Sequence, residues 1–240
     1  MERLDKWLAG AAGLTRSQAR DAIRAGRVTQ GGQALRQADA KVDGTGLCLD
    51  GAPLADRRRR IVLLLNKPEG YVTSTDDPRD RTVMELLPPV YRGLGLAPVG
   101  RLDKNTEGLL LLTNDGGLAH RLISPRSRVE KAYYARHEGQ AGPEDVAAFQ
   151  AGITLRDGAL CRPAVLEPLG PGESRVILTE GKYHQVRRMM ASRGLPVTYL
   201  ERVREGNLTL EGLPRGQCRE LTPEEAEGLE PGSPGNFHKA

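Results

Sequence analysis

The chain has 240 residues, 38% of them hydrophobic, which is enough for one large domain or two smaller ones with a packed core. Its apolar runs are too short to cross a bilayer, and its first residues lack the apolar segment of a signal peptide. Its three widely spaced cysteines fit neither a disulfide framework nor a metal site, so we expect a cytoplasmic, reduced protein without metal or membrane attachment.

The net charge of +4 is unevenly distributed along the chain. Residues 1–60 contain 12 Lys and Arg against 7 Asp and Glu, whereas the rest of the chain is close to neutral. A basic segment of this kind is typical of proteins that bind nucleic acid, although charge alone fits a solvated basic surface equally well.

Two short helices are predicted near the N-terminus. Hydrophobic residues in ERLDKWLA (residues 2–9) have the i, i+3, i+4 spacing of one buried helix face. Thr15 and Gln18 fit a capping box that begins a second helix, and Gly26 fits its C-terminal cap. Like charges four residues apart repel one another, so we expect RNA phosphates to lie opposite the basic stripe of this helix. The stripe consists of Arg16, Arg20, Arg24 and Arg27.

Short strands follow these helices, around turns at residues 31–32 and 50–51. Together the helices and strands, RLDKWLA…GLTRSQARDAIRAGRVTQGG, resemble an S4 RNA-binding domain, which we expect over residues 1–54. One departure is the turn at residues 30–32, where Gln-Gly-Gly replaces the Val-Asn-Gly usual in that family. An exposed linker that contains four consecutive arginines is predicted at residues 55–60.

A larger domain is predicted over residues 61–225, where longer apolar segments replace the short, charged elements of the N-terminal part. IVLLLNKP and GLLLLTN are typical of buried strands, VEKAYYAR alternates like a strand, and PEDVAAFQAG and HQVRRMMASRG indicate helices. Strands occur in runs joined by turns, with helices at irregular intervals. We therefore expect an α+β fold, in which a small S4-like domain of helices and hairpins precedes a larger domain with a mixed, largely antiparallel central sheet flanked by helices. Residues 226–240, rich in Gly and Pro, are expected to form a disordered tail.

One carboxylate, Asp103, stands in GRLDKNTEGLLLLTNDG, directly before an apolar strand. Burying a charge beside four leucines is costly, so its position needs a reason. A calcium loop is disfavoured because Glu107 and Asn114 occupy the fifth and twelfth positions of the EF-hand-like pattern. An Asp that caps a turn before a strand is the structural alternative.

Motifs for several other chemistries are missing from the sequence. The four histidines are scattered, and neither H-x-x-x-H nor C-x-x-C occurs. There is no G-x-S-x-G element, no P-loop and no G-x-G-x-x-G after a strand. Metal-dependent, serine-nucleophile and nucleotide-binding enzymes are therefore disfavoured.

Four segments occur in a characteristic order: NKPEGYVTSTDDP, GRLDKNTEGLLLLTNDG, EKAYY and TEGKYHQVRRM. In this order they resemble RNA pseudouridine synthases, in the branch that contains the bacterial small-subunit ribosomal RNA enzyme, over residues 2–222. STDDP, RPAVLE and GKYHQVRRM are more similar to the small-subunit enzyme than to its large-subunit relatives. The resemblance implies cofactor-independent isomerisation of a uridine in 16S rRNA. The same chemistry on 23S rRNA, and a non-catalytic S4-type RNA-binding or ribosome-assembly protein, are the alternatives.

The resemblance also implies roles for individual residues. Asp103 matches the catalytic aspartate, and Arg187 matches the cation that keeps it ionised, with Arg188 as the neighbour that could take its place. Arg101 is expected to hold a nucleotide flipped out of its stack, and Tyr133 to stack on the uracil or take the C5 proton. Whether the carboxylate attacks C1′, attacks the base ring or triggers elimination at C2′ stays open.

The remaining expectations concern support and partners. Lys67 in the NKP segment is expected to support the floor of the active site. The partner is expected to be ribosomal RNA, either free or in a small-subunit assembly intermediate, and the protein is expected to be a monomer.

Overall fold

The structure is a computed structural model that describes residues 2–54, 60–91, 93–124 and 126–229. It divides into two compact units, Met1–Ile61 with Leu87–Leu96 and Val62–Leu86 with Ala97–Ala240. The sequence assigned residues 87–96 to the second domain, but they group with the first unit, a grouping that local sequence patterns do not reveal. Most of the predicted linker, residues 55–59, lies outside the described residues. None of the described helices is long and apolar enough to cross a membrane.

The described residues of the first unit form two α-helices, six short strands and one 3₁₀ helix. Its elements are β1 (Glu2–Arg3), α1 (Leu4–Ala12), α2 (Arg16–Arg24), β2 (Val28–Gln30), β3 (Gln33–Ala34), β4 (Lys41–Val42), β5 (Leu47–Leu49) and β6 (Ala52–Pro53). Four strands form an antiparallel sheet in the order β3-β2-β5-β6, and β1 pairs with β4.

Both predicted helices of this unit are confirmed. Trp7 on α1 is almost completely buried in one core with Ile23 on α2, because the i, i+3, i+4 spacing places the apolar side chains of each helix on one face. The predicted capping box is also present. The backbone N–H of Gln18 donates to Thr15 Oγ1 at 3.2 Å, and the backbone N–H of Thr15 donates to Gln18 Oε1 at 2.8 Å.

The second unit is built around one large sheet. Its elements are β7 (Val62–Lys67), a 3₁₀ helix (Val83–Leu86), β8 (Ala97–Val99), β9 (Glu107–Thr113), α3 (Gly116–Ile123), β10 (Lys131–His137), α4 (Pro143–Ala151), β11 (Val165–Gly170), β12 (Glu173–Leu178), α5 (Gln185–Ser192), β13 (Val197–Glu205), β14 (Leu208–Thr209), β15 (Cys218–Glu220) and α6 (Pro223–Gly228). A further 3₁₀ helix, Pro89–Tyr91, belongs to the first unit.

The sheet has the order β11-β12-β10-β13-β9-β7-β15, with β14 added to β13 and β8 added to β9. Only the pairing of β13 with β9 is parallel; the other pairings are antiparallel. Strands β7 and β9 are buried along their whole length, as their continuous apolar runs predicted. The expected α+β fold with a mixed, largely antiparallel sheet is therefore confirmed.

The C-terminal boundary differs from the sequence-based expectation of a disordered tail over residues 226–240. Helix α6 continues to Gly228, and the side chain of Leu229 is fully buried in the core that contains Val62 and Leu111. The composition of the Gly/Pro-rich stretch did not reveal that one leucine at its start completes this core. Residues 230–240 lie outside the described residues.

Candidate active site

A cavity of about 910 Å³ opens in the second unit, and three of the predicted site residues line it. These are Asp103, Arg101 and Tyr133. Arg101 is exposed, whereas 29% of the Asp103 side chain remains accessible. The carboxylate thus lies at the wall of a cavity and is neither sealed in the core nor free in bulk solvent.

Asp103 lies in the loop between β8 and β9, and the backbone of this loop is fixed on both sides. Thr73 Oγ1 donates to the Leu102 carbonyl at 2.7 Å and accepts from the Leu102 N–H at 3.1 Å. On the other side, the N–H of Thr106 donates to the Asp103 carbonyl at 3.0 Å. These contacts hold the carboxylate in one orientation.

Lys67 provides further support at the end of β7, as the sequence predicted. Its ammonium group is fully buried and lies within hydrogen-bonding distance of four carbonyl oxygens, including those of Asp103 at 3.1 Å and Thr106 at 2.8 Å. Burial lowers the pKa of Lys67 to about 8, although the negative charges of Glu107 and Asp103 act in the opposite direction. One buried cation therefore holds together the backbone around Asp103.

The side chain that contacts the Asp103 carboxylate is a histidine that sequence reasoning missed. His184 Nε2 lies 3.3 Å from Asp103 Oδ1. The residue caps the N-terminus of α5 and has a left-handed backbone with φ of 48°, which is uncommon for a residue other than glycine. Its signal was present in the GKYHQVRRM segment, where it precedes the helix directly.

Arg187, the expected partner of Asp103, makes different contacts. Its guanidinium donates to the Asn105 carbonyl at 2.9 Å and to the Val197 carbonyl at 3.1 Å. Arg187 thus binds the backbone of the loop after Asp103, and its expected role as the cation that keeps Asp103 ionised stays a prediction. Burial lowers the pKa of Arg187, and the nearby negative charge of Asp103 opposes that shift. Arg188 pairs with Asp157 at 2.6 Å.

A buried group of charges lies beside Tyr133 in the same cavity. Tyr133 on β10 is opposite Arg202 on β13, and Arg202 pairs with Glu205 at 3.2 Å. Lys131 Nζ lies 3.7 Å from Glu205 on the other side. Burial raises the pKa of the Tyr133 hydroxyl, which therefore stays protonated at neutral pH. Sequence reasoning assigned β13 only to the sheet and so missed these partners.

The predicted RNA-binding arginines lie in the first unit, and each forms an ion pair within the protein. Arg16 and Arg20 contact the fully buried carboxylate of Asp5 at 3.4 and 3.0 Å. Together with Arg3, they hold the pKa of Asp5 far below its usual range. Opposite charge for this stripe is thus partly supplied by the protein itself, and the expected contact with RNA phosphates stays a prediction.

The other two arginines of the stripe pair with exposed carboxylates. Arg27 Nε donates to Asp50 at 2.8 Å, and Arg24 lies 3.4 Å from Asp21. All four arginine side chains remain between 44% and 71% exposed, so their outer surfaces are accessible.

Comparison with known proteins gives a consistent result. Residues 61–192 match the RNA pseudouridylate synthase family. The chain is 42% identical to the ribosomal small subunit pseudouridine synthases A of Salmonella typhimurium and Escherichia coli, over 93% of this chain and 97% of each relative. It is 39% identical to an uncharacterized RNA pseudouridine synthase of Bacillus subtilis, over 93% and 96% of the two chains.

A solved crystal structure of a pseudouridylate synthase is also similar. It superposes with a TM-score of 0.68 at 36% identity, covering 95% of this chain and 100% of that one. The similarity therefore extends across both compact units and beyond the segment that matches the family. The cavity around Asp103, the order of the four sequence segments and these matches lead to one conclusion: the chain belongs to the RNA pseudouridine synthase family.

Proposed function

We propose that this protein converts one uridine of small-subunit, 16S ribosomal RNA to pseudouridine, with Asp103 as the catalytic nucleophile. The observation that carries the proposal is the Asp103 carboxylate at the wall of a cavity, 3.3 Å from His184 Nε2 and in the same cavity as Tyr133. The relatives from Salmonella typhimurium and Escherichia coli are named as small-subunit enzymes, which favours 16S over 23S rRNA.

The reaction breaks the N1–C1′ bond of uridine, turns the base and forms a C5–C1′ bond. The C5 proton leaves and N1 gains a proton, so no other group enters or departs and no cofactor is required. An ionised carboxylate can begin this sequence by attack at C1′, by attack at the base ring or by removal of the C2′ proton. In this proposal Asp103 begins each route, with the imidazole of His184 3.3 Å from its carboxylate and the guanidinium of Arg187 close by.

The target nucleotide has to leave its stack before its ribose can meet a carboxylate, which costs a few kcal/mol. Arg101, exposed at the cavity, is suited to hold the flipped nucleotide. Tyr133 offers a ring for stacking on the uracil. Because burial raises the pKa of its hydroxyl, this residue is better suited to stacking than to accepting the C5 proton.

Binding of the larger RNA is assigned in this proposal to the first unit, as an S4-like domain over residues 1–54. The partly exposed arginines on α2 and directly after it support this assignment, since guanidinium groups contact phosphates without reading sequence. Within the proposal the enzyme acts as a monomer in the cytoplasm and needs no metal.

A tritium-release assay tests the proposal directly. Uridine labelled at C5 would be incorporated into 16S transcripts, 23S transcripts and partly assembled small subunits. Release from 16S RNA or its assembly intermediate is the expected result, and release only from 23S RNA would favour the large-subunit alternative. Binding without release from any of these RNAs would favour a non-catalytic RNA-binding protein.

The variant Asp103→Asn tests the nucleophile. We expect turnover to be abolished because the amide cannot act as a nucleophile or base, while RNA affinity stays within about twofold because affinity depends on phosphate contacts. Filter binding and tritium release on the same RNA measure the two quantities. Appreciable residual turnover in a clean preparation would contradict the assignment of Asp103.

A further inference from the structure

Two stacked aromatic rings stand at the cavity, and the outer one, Tyr183, has no part in the chemistry described above. The rings of Tyr183 and His184 have centroids 3.9 Å apart and an interplanar angle of 17°. His184 is the residue that contacts Asp103, whereas Tyr183 is 76% exposed. The ring of Tyr183 is therefore exposed to solvent and stacks on His184, which in turn contacts Asp103.

Tyr183 is part of a wider apolar surface at the same place. Among the described residues, six large hydrophobic side chains are strongly exposed, and three of them line this cavity. These three are Ile123 at the end of α3, Leu160 before β11, and Tyr183 before α5. Exposed apolar side chains that cluster at one site indicate a surface that another molecule covers.

The charges around this surface indicate which kind of molecule covers it. The described cavity lining includes six Lys and Arg residues against three Asp and Glu residues. A partner with flat apolar faces and negative charges complements such a lining. Nucleotides have both properties, because every base presents a π-face and every linkage carries a phosphate.

The backbone that carries Tyr183 is held in place before any ligand arrives. The N–H of Lys182 donates to Gln185 Oε1 at 2.8 Å, and Arg188 donates to the Tyr183 carbonyl at 3.3 Å. His184 is fixed at its other end by Asp103. An ordered aromatic ring loses little conformational entropy when a base stacks on it, which favours binding.

We propose that Tyr183, stacked on His184, receives an unpaired base of the substrate RNA next to the target uridine. This inference depends on the proposed function, since it takes the uridine beside Asp103 as its reference point. The stack adds affinity without selecting a particular base, because each of the four bases can stack on the same ring. It also couples the position of the neighbouring nucleotide to the partner of the nucleophile.

The test uses the full-length enzyme and an RNA hairpin that contains the uridine mapped by the tritium assay. The fluorescent base 2-aminopurine replaces each unpaired neighbour in turn, and its quenching is read by rapid mixing before turnover. We expect quenching at one position with the wild type and with Tyr183→Phe, and loss of that quenching with Tyr183→Ala. The KM of Tyr183→Ala should rise about tenfold with kcat within about twofold, because a contact made equally in the ground and transition states is lost.

Leu169→Ala is the matched control, because Leu169 is a strongly exposed hydrophobic residue on β11 that does not line the cavity. It should behave like the wild type in both measurements. The inference is overturned if the KM of Tyr183→Ala stays within twofold of the wild-type value. It is also overturned if Tyr183→Ala still quenches 2-aminopurine at each position where the wild type does. The RNA used is one from which the wild type releases tritium, so a failure of the proposed function is detected in that earlier assay and only the Tyr183 assignment is at stake here.

Discussion

At the scale of single residues, Asp103 is held by contacts that come from several distant parts of the chain. Thr73 and Lys67 fix the backbone on either side of it, and His184 contacts its carboxylate. In the proposed mechanism the rate depends on accurate placement of Asp103, so these supporting residues contribute to catalysis. Lys67 is the clearest example, because its buried ammonium group donates hydrogen bonds to backbone carbonyl oxygens around Asp103.

Lys67 leads to a prediction about pH and stability. Its pKa is about 8 in the folded protein and about 10.4 in an unfolded chain, so the unfolded state binds more protons between these values. The contribution of Lys67 to the free energy of unfolding should therefore increase with pH across this window, by up to about 1.4 kcal/mol per pH unit.

Urea denaturation of the wild type and of Lys67→Met at pH 7.5, 8.5 and 9.5 measures this contribution. The difference in unfolding free energy, wild type minus variant, is expected to grow with pH because methionine does not titrate. A difference that stays constant or shrinks would show that the buried amine does not have a lowered pKa. The variant should also lose turnover, because the backbone of the Asp103 loop loses its donor.

At the scale of elements, the join between β9 and β13 positions both halves of the site. Asp103 precedes β9, whereas Arg202 lies on β13, and the two strands pair in parallel at Gly108 and Arg202. Gly108 has φ of 100°, and a Cβ at this position would lie 2.3 Å from the Arg202 carbonyl oxygen. Only glycine allows the two backbones to approach this closely.

Gly108→Ala should consequently destabilise the protein by at least about 2 kcal/mol, through both the clash and the left-handed backbone. Chemical denaturation measures the loss, and turnover should fall with it. Gly116→Ala is the matched control, since Gly116 begins α3 and an added Cβ there meets no atom within 4 Å. Equal stability of the two variants would contradict the importance of this join.

At the scale of the whole molecule, the excess of basic residues in the N-terminal part of the chain is partly paired with acidic residues of the same unit. Asp5 is buried beneath Arg3, Arg16 and Arg20, so this cluster carries a net positive charge while three guanidiniums keep defined positions. Replacement of Arg16 or Arg20 would therefore disturb folding as well as RNA binding. The other two arginines of the stripe pair with exposed carboxylates and allow a cleaner test.

The double variant Arg24→Gln, Arg27→Gln should weaken RNA binding and reduce its salt dependence. If both guanidiniums contact phosphates, the slope of log K against log salt concentration should fall in magnitude by roughly 1.5. Filter binding at salt concentrations between about 50 and 200 mM is sufficient to measure this slope.

The control for that experiment is Arg175→Gln, which removes an exposed arginine paired with Glu167 in the second unit. Its salt slope should equal that of the wild type. If the double variant also keeps the wild-type slope, the proposed role of α2 in phosphate binding is incorrect.

Residues with local signals were predicted well from the sequence. Thr15 and Gln18 form their capping box because its two hydrogen bonds involve residues three positions apart. The apolar runs of β7 and β9 form buried strands because no other placement removes so many adjacent leucines from water. By contrast, ITLRDGAL (residues 153–160) has a sequence that favours a strand but forms only a single bridge, between Thr154 and Leu160. A segment with high strand propensity forms a strand only where the fold places another strand beside it for hydrogen bonding.

The sequence by itself determined the family, the α+β class and the candidacy of Asp103, because motif order and the periodicity of apolar residues are properties of the chain alone. Only the tertiary structure decided that His184 contacts that carboxylate while Arg187 contacts the neighbouring backbone, and that Asp5 meets Arg16 and Arg20. Several cations of similar charge lie close together in the chain, and the folded backbone selects among them through distance and direction. The attraction between two charges weakens as the distance between them grows. Each charged group is therefore paired with the partner that the fold places nearest to it.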